Sequence, residues 1–222
     1  MLRKRMVEEQ LAARGIRDPL VLRAMKEVPR EKFVPFEYSQ SAYADSPLPI
    51  GENQTISQPY VVALMTEMLA LSPHDRVLEI GTGSGYAAAV LSRIAAEVYT
   101  VERHENLARS AGERFEQLGY ENIHIRVGDG TFGWPEKAPY EAIIFAAGAP
   151  QIPEPLLTQL AIGGCLVGPV GQKRDFQQLV RVRRKSEDKY LREHINEHVG
   201  KVRFVPLVGE EGWPDYFDHN KM

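Results

Sequence analysis

The stretch Arg76-Val77-Leu78-Glu79-Ile80-Gly81-Thr82-Gly83-Ser84-Gly85 decides the fold. Residues of strand character run into three closely spaced glycines, and the apolar segment Tyr86–Ile94 that follows reads as a helix. Glycines between a strand and a helix let the backbone turn tightly and approach a ligand with no Cβ in the way. The alternation continues outward. Glu97–Val101 reads as a strand, Glu105–Leu118 as a helix, and Ile123–Val127 and Ala142–Phe145 as strands. Pro153–Leu160 reads as a helix and Cys165–Val167 as a strand. Short apolar strands alternating with helices predict an α/β, doubly wound fold whose parallel sheet is covered on both faces.

The flanks differ in style. Upstream, Leu2, Met6, Val7 and Leu11 fall at helical spacing over residues 2–14, and Asp18-Pro19 pairs an N-cap with a proline at the first helical position. Residues 37–58 are expected to be irregular, because Pro47, Pro49 and Gly51 break any element; Tyr60–Leu71 is expected to be a helix. Downstream, Phe176–Arg184 and Val199–Val205 read as longer antiparallel strands. Without repeats or a low-complexity linker, the 222 residues read as one domain. It comprises an N-terminal helical extension (1–71), an α/β core (72–170) and C-terminal strands and tail (171–222).

Composition narrows the function classes. A hydrophobic content of 43% fills a sizeable core, and a net charge of −3 gives no general attraction to nucleic acid or an anionic membrane. The single cysteine, Cys165, excludes an internal disulfide and suits a reducing compartment. No apolar run approaches the ~18 residues of a membrane span. No apolar h-region follows the basic Met1–Arg5, so no signal peptide is expected. The expectation is a soluble, cytoplasmic globule, monomeric by default.

The chemistry starts at the glycine loop. It is not the dinucleotide pattern G-x-G-x-x-G, since its third glycine comes one residue early, and no Gly-Lys-Ser/Thr follows as a P-loop requires. Glu102 closes the next strand about twenty residues on, where a carboxylate accepts from ribose hydroxyls. Asp129, in Gly128-Asp129-Gly130, lies at the same sheet edge. Three acids there, Glu79, Glu102 and Asp129, disfavour a phosphate-bearing cofactor and suit an adenosine carrying a positive centre. The bland alternative is a tight turn with surface acids. Ser57, ahead of the helix at Tyr60, is positioned to cap its first turn, and a helix N-terminus also attracts anions.

Other motifs are weaker. His194-Ile195-Asn196-Glu197-His198 fits a zinc-protease spacing, but its flanks favour strands and little chain remains for a third ligand, so no metal is expected. Arg181-Val182-Arg183-Arg184-Lys185 reads as a solvated strand face. Cys165 sits in an apolar strand with no adjoining basic residue, and Ser84 lacks the G-x-S-x-G glycines.

With these residues in view, the block resembles the S-adenosylmethionine-dependent methyltransferases, with their mostly parallel, seven-stranded Rossmann-like sheet. More specifically, the chain resembles the protein-L-isoaspartate O-methyltransferase family over nearly its whole length. The resemblance rests on Val28–Pro35, Ala42–Gly51, Gln54-Thr55-Ile56-Ser57-Gln58-Pro59-Tyr60, Val77–Tyr86, Gly128-Asp129-Gly130, Gly133-Trp134-Pro135 and Val202–Leu207. The Thr-Ile-Ser-Gln-Pro run is its most specific part. Two mild departures are Glu141, where the family usually has Asp, and the stretch Phe145–Pro150.

The resemblance implies methyl transfer from S-adenosyl-L-methionine, leaving S-adenosyl-L-homocysteine, to the α-carboxylate of L-isoaspartyl residues in damaged proteins and peptides. The ester then closes to a succinimide that reopens partly to aspartate. It implies Ser57 as the catalytic residue. The implied cofactor-binding residues are Gln54, Thr55, Ile56, Ser57, Glu79, Gly81, Thr82, Gly83, Glu102, Asp129 and Gly130. Ile56, Ser57, Gln58, Val205 and Pro206 would meet the substrate. An acceptor carboxylate is already ionised at neutral pH, which agrees with finding no His–Asp or carboxylate pair suited to proton transfer. Two alternatives stay open. One is a small-molecule or nucleic-acid methyltransferase of the same fold, although the Asn/Asp-Pro-Pro-aromatic turn of amine methylation is missing after Phe145. The other is an adenosyl-binding module without catalysis.

Overall fold

The structure is a computed structural model that describes residues 2–173, 176–187, 189–194 and 202–215. Helix α1 (Leu2–Arg5) continues through a π-turn, Met6–Leu11, and a 3-10 turn, Ala12–Arg14. Met6, Val7 and Leu11 are buried as their spacing predicts, whereas Leu2 is exposed. Asp18 caps α2 (Pro19–Glu27), its Oδ1 accepting from Leu20 N–H at 2.8 Å.

The stretch expected to be irregular holds a hairpin of two antiparallel strands, β1 (Leu48–Gly51) and β2 (Gln54–Ile56). A two-stranded ribbon is all edge, so the missing N–H of Pro49 is tolerated. Glu52 and Asn53 turn the ribbon with φ of 49° and 55°, the left-handed pair that a two-residue hairpin needs. Helix α3 (Pro59–Leu69) follows two residues after β2. Ten of its eleven residues are buried, because the sheet lies on one side and the N-terminal helices on the other.

The strands β3 (Arg76–Ile80), β4 (Glu97–Glu102), β5 (Ile123–Val127), β6 (Tyr140–Phe145), β7 (Leu160–Lys173), β8 (Phe176–Ser186) and β9 (Lys189–His194) form one seven-stranded sheet. Its order is β5-β4-β3-β6-β7-β8-β9. Pairing is parallel from β5 to β7 and antiparallel from β7 to β9. The helices α4 (Tyr86–Ser92), α5 (Glu105–Leu118) and α6 (Glu154–Thr158) connect the parallel strands. Strand neighbours alternate between two cores: Val77, Val98, Ile144 and Val167 face α2–α5, while Leu78, Val101, Ile143 and Leu166 face α6. The direction of winding reverses between β3 and β6, which opens a crevice beyond their carboxyl ends.

Three boundaries differ from expectation. Strand β7 runs far beyond Cys165–Val167, because it pairs with β6 along one part and with β8 along the other. Helix α6 is shorter than Pro153–Leu160. The last strand is Lys189–His194 rather than Val199–Val205; residues 199–201 lie outside the described residues, as does most of the 194–198 histidine motif. Val202 makes only a bridge to Gln177, and the Phe204 N–H donates to Gln177 Oε1 at 2.9 Å. Gly148 then takes the chain off the ladder, its N–H donating to Val205 O at 2.7 Å and its carbonyl accepting from Leu207 N–H at 2.8 Å.

Gly168 in β7 reports on how tightly this sheet is packed: a Cβ there would lie 2.1 Å from the ring of Phe145, which is fully buried. Gly168→Ala is expected to cost ~1–3 kcal/mol through overpacking. Urea unfolding checks this, and an unchanged midpoint would show that Phe145 moves aside freely.

Candidate active site

From Ile80 the chain enters the glycine turn. Gly81 has φ +90°, its N–H donates to Val101 O at 2.8 Å, and open space lies where a Cβ would project. Gly85 has φ +86°, and a Cβ there would lie 2.6 Å from the Phe115 ring of α5. The first glycine therefore leaves room for a ligand, and the last lets loop and helix pack closely. Glu102, at the end of β4, grips the turn. Its Oε2 accepts from Gly83 N–H at 2.8 Å and its Oε1 from His104 N–H at 3.0 Å. A carboxylate offers about four lone-pair sites, so both oxygens retain accepting capacity.

A cavity of about 490 Å³ opens here, within the ~300–1,000 Å³ range of small-molecule sites. Gln54, Thr55, Ile56 and Ser57 line one wall; Gly81, Thr82 and Gly83 line another; Glu102, Gly130, Val205 and Pro206 contribute the rest. Among the described residues the Ser57 hydroxyl has no hydrogen-bonding partner. Two segments reach across the cavity. At the hairpin tip, Glu52 Oε1 accepts from Asn106 Nδ2 at 3.0 Å, and His104 Nδ1 lies 3.9 Å from Glu52 Oε2. At the tail, Asp215 pairs with Arg103, and Trp213 Nε1 donates to Gly148 O at 2.9 Å.

Three residues expected at the site lie outside the wall of this cavity. Glu79, expected at the cofactor, is turned into the core and is 1% exposed. Thr100 Oγ1 donates to its Oε2 at 2.6 Å, and Thr82 Oγ1 lies 2.6 Å from Thr100 Oγ1. Burial, reinforced by the charge of Glu102, pushes the Glu79 carboxyl up to about 8, so it is largely neutral at pH 7. Asp129 lines an adjoining cavity that shares Arg103, Val208 and Asp215 with the first; it accepts from Thr131 N–H at 2.9 Å, from the Thr131 hydroxyl at 2.7 Å and from Glu210 N–H at 2.9 Å. It shapes the loop and holds the tail. Gln58, expected against substrate, turns away and donates to Asp45 Oδ2 at 2.7 Å.

The expected cap is corrected. Helix α3 starts at Pro59, its N-cap position is Gln58, and no side chain at that position caps it. The Tyr60 N–H donates to Asp45 Oδ1 at 3.2 Å, and the Val61 and Val62 N–H groups to Gln58 O. Ser57 therefore does not cap, and the first turn is not a free anion site. Of the three acids counted at the sheet edge, only Glu102 lines the first cavity.

Other lining residues escaped the sequence reading. Arg103 and His104 follow Glu102 directly, so the strand end was a usable signal. Ala146 and Ala147 follow the end of β6 in the same way, and Tyr86 opens α4 after the glycine turn. Pro214 and Asp215 carried no local signal. Among the described residues no group of three or more His, Cys, Asp or Glu is arranged to hold a metal ion, and no helix is long and apolar enough to cross a membrane.

The donor set and the shape of the cavity fit an adenosyl ligand. Glu102 presents free acceptor capacity to a ribose diol, and the Gly81 turn leaves room for a chain passing over it.

Comparison with known proteins agrees. The profile of the family described as protein-L-isoaspartate(D-aspartate) O-methyltransferase (PCMT) matches residues 2–212. A protein-L-isoaspartate O-methyltransferase of Pelobacter propionicus is 62% identical over 211 residues, covering 95% of this chain and 92% of the relative. One of Pelotomaculum thermopropionicum is 58% identical over 213 residues, covering 96% and 91%. Among solved structures, a protein-L-isoaspartate O-methyltransferase superposes with a TM-score of 0.83 at 32% identity, covering 95% of this chain and 67% of its own. A beta-aspartate methyltransferase (PCMT) from Plasmodium falciparum, in complex with S-adenosyl-L-homocysteine, has a TM-score of 0.77 at 26% identity, covering 91% and 96%.

The buried Glu79 gives a pH signature. Its folded pKa is raised above the unfolded value of 4.5, so the native state holds its proton while the unfolded chain loses it. Stability from this group therefore falls as pH rises from about 4.5 to about 8 and then levels off. Glu79→Gln removes the titration. Its unfolding free energy is expected to gain on the parent protein between pH 5 and pH 8; denaturant melts at both pH values check this, and a constant difference would contradict the buried neutral carboxyl.

Proposed function

The chain belongs to the protein-L-isoaspartate O-methyltransferase family, and we propose how its own residues carry out that chemistry. The enzyme transfers a methyl group from S-adenosylmethionine to the α-carboxylate of L-isoaspartyl residues in damaged proteins and peptides, which initiates repair through a succinimide. When bound, S-adenosylmethionine supplies the electrophilic methyl group. Glu102 accepts from its ribose hydroxyls, and Gly81, Thr82, Gly83 and Gly130 shape the floor beneath it. Gln54, Thr55 and Ile56 form the facing wall.

Ser57 donates its hydroxyl to the incoming carboxylate. That carboxylate is ionised at neutral pH, so no general base is required. The residues instead align an oxygen with the methyl group and remove water from a weak nucleophile. Ile56, Val205 and Pro206 supply apolar surface for that purpose. Glu79, Asp129 and Gln58 act at one remove: Glu79 holds the Thr100–Thr82 pair, Asp129 anchors the tail, and Gln58 ties the corner beside Ser57 to Asp45. The observation that carries the reading is that Ser57, whose hydroxyl has no partner among the described residues, lines the same cavity as Gly81 and Glu102. We read the chain as a single methyltransferase domain acting as a cytoplasmic monomer on isoaspartyl peptides rather than nucleic acid, in keeping with its net charge of −3.

Labelled S-adenosylmethionine offered with matched peptides tests the reaction: base-labile methyl ester on the isoaspartyl peptide alone is expected, and label on nucleic acid or on neither peptide would refute it. Ser57→Ala is expected to lower kcat while S-adenosylhomocysteine affinity changes little; equal loss of both would move Ser57 to cofactor binding. Glu102→Ala is expected to weaken the cofactor by ~1.5–3 kcal/mol, the value of a hydrogen bond to a charged group. Calorimetric titration reads this, and unchanged affinity would remove the ribose role.

A further inference from the structure

One carboxylate from outside the corner that carries Ser57 bonds to it on both its oxygens. Asp45 Oδ1 accepts the Tyr60 N–H at 3.2 Å, and Oδ2 accepts from Gln58 Nε2 at 2.7 Å and from Arg14 Nη1. These contacts fall on the residue after Ser57 and on the first turn of α3. The census of that turn leaves Asp45 an indispensable share: Pro59 has no N–H, Val61 and Val62 bond to Gln58 O, and Tyr60 has only Asp45. The cap comes from a residue remote in sequence, so Ser57 and Gln58 do not supply it. That leaves the Ser57 hydroxyl beside the cavity with no partner among the described residues.

Asp45 is itself rigidly held. The turn before it is fixed by Arg30 Nε, which donates to Ala42 O at 2.7 Å, and by Gln10 Nε2, which donates to Tyr43 O at 3.0 Å. The Arg14 guanidinium also lies 3.6 Å over the Tyr60 ring, so it clamps the same turn from the solvent side. The Asp45 side chain is 21% exposed, shielded enough for these bonds to fix a geometry. Through this group, and through Arg14 on the Tyr60 ring, the N-terminal segment connects to the active-site corner.

We propose that Asp45 is a positioning residue for methyl transfer: by binding Gln58, the Tyr60 N–H and Arg14, it sets the backbone that presents Ser57 to the acceptor carboxylate. This rests on the role proposed above for Ser57. Asp45 does not line the cavity, so its loss acts on the rate and not on cofactor binding.

The test compares four variants by steady-state kinetics on an isoaspartyl peptide, S-adenosylhomocysteine titration and thermal unfolding. Asp45→Ala is expected to lower kcat by roughly tenfold to a hundredfold, the scale of an ångström-sized misplacement, with cofactor affinity within about threefold. Asp45→Asn keeps an acceptor for Tyr60 but loses the charge that holds Arg14, and is expected to recover part of that rate. Asp18→Ala removes a cap of the same kind from α2, away from the cavity. It is expected to lower the melting temperature comparably and leave kcat unchanged in the folded protein. Ser57→Ala provides the reference. An Asp45→Ala enzyme with normal kcat, beside a slowed Ser57→Ala enzyme, overturns the positioning role and leaves Ser57 intact. Asp45→Ala and Asp18→Ala slowing the rate alike also overturns it, because general destabilisation would then explain both. A Ser57→Ala enzyme of full activity removes the underlying reading as well.

Discussion

The structure depends on the hydrogen bond between the Glu102 carboxylate and the Gly83 N–H, 2.8 Å long. It ties the end of β4 to the turn after β3 at the point where the strand order reverses. A left-handed turn of glycines carries little packing of its own and would wander without such a tether. Here it is fixed from two sides, by Glu102 on Gly83 and by Val101 O on the Gly81 N–H. The same carboxylate takes the His104 N–H at the mouth of α5. One side chain thus orders both loops that bound the crevice and still faces the cavity with accepting capacity.

Two carboxylates on neighbouring strands have opposite fates, for reasons of solvation. Glu79 and Glu102 both belong to strands that end at the crevice. Glu102 closes β4, paired with Val127, where two backbone N–H groups donate to its carboxylate beside the cavity. Glu79 lies one residue before the end of β3, pointing into a packed core where the Thr100 hydroxyl donates to it. Ionisation there is disfavoured, so the group serves as a neutral hydrogen-bonding post beneath Thr82.

The surroundings of the crevice come from distant parts of the chain. The β1–β2 hairpin enters before the sheet begins, and the 205–215 segment returns after it ends. Each is held by polar contacts: Glu52 to Asn106, Asp129 to the Glu210 N–H, Arg103 to Asp215, and Gly148 to Val205 and Leu207. These connections make the cavity a joint product of all three sections of the chain, although the sheet alone sets its location.

The sequence by itself determined the alternating α/β core, the glycine turn and the acid at the end of β4, while the resemblance pointed to Thr55–Ser57. The first three are written in local pattern: strand and helix periods and glycine spacing. Only the tertiary structure decided that Glu79 turns into the core, that Asp129 holds the tail, that Asp45 caps α3 in place of Ser57, and that Asp215 comes to the cavity rim. Side-chain direction at a strand end depends on which neighbour offers a donor, and a cap depends on which chain segment arrives there. Those partners lie tens of residues apart, so folding brings them together where no local period can record them.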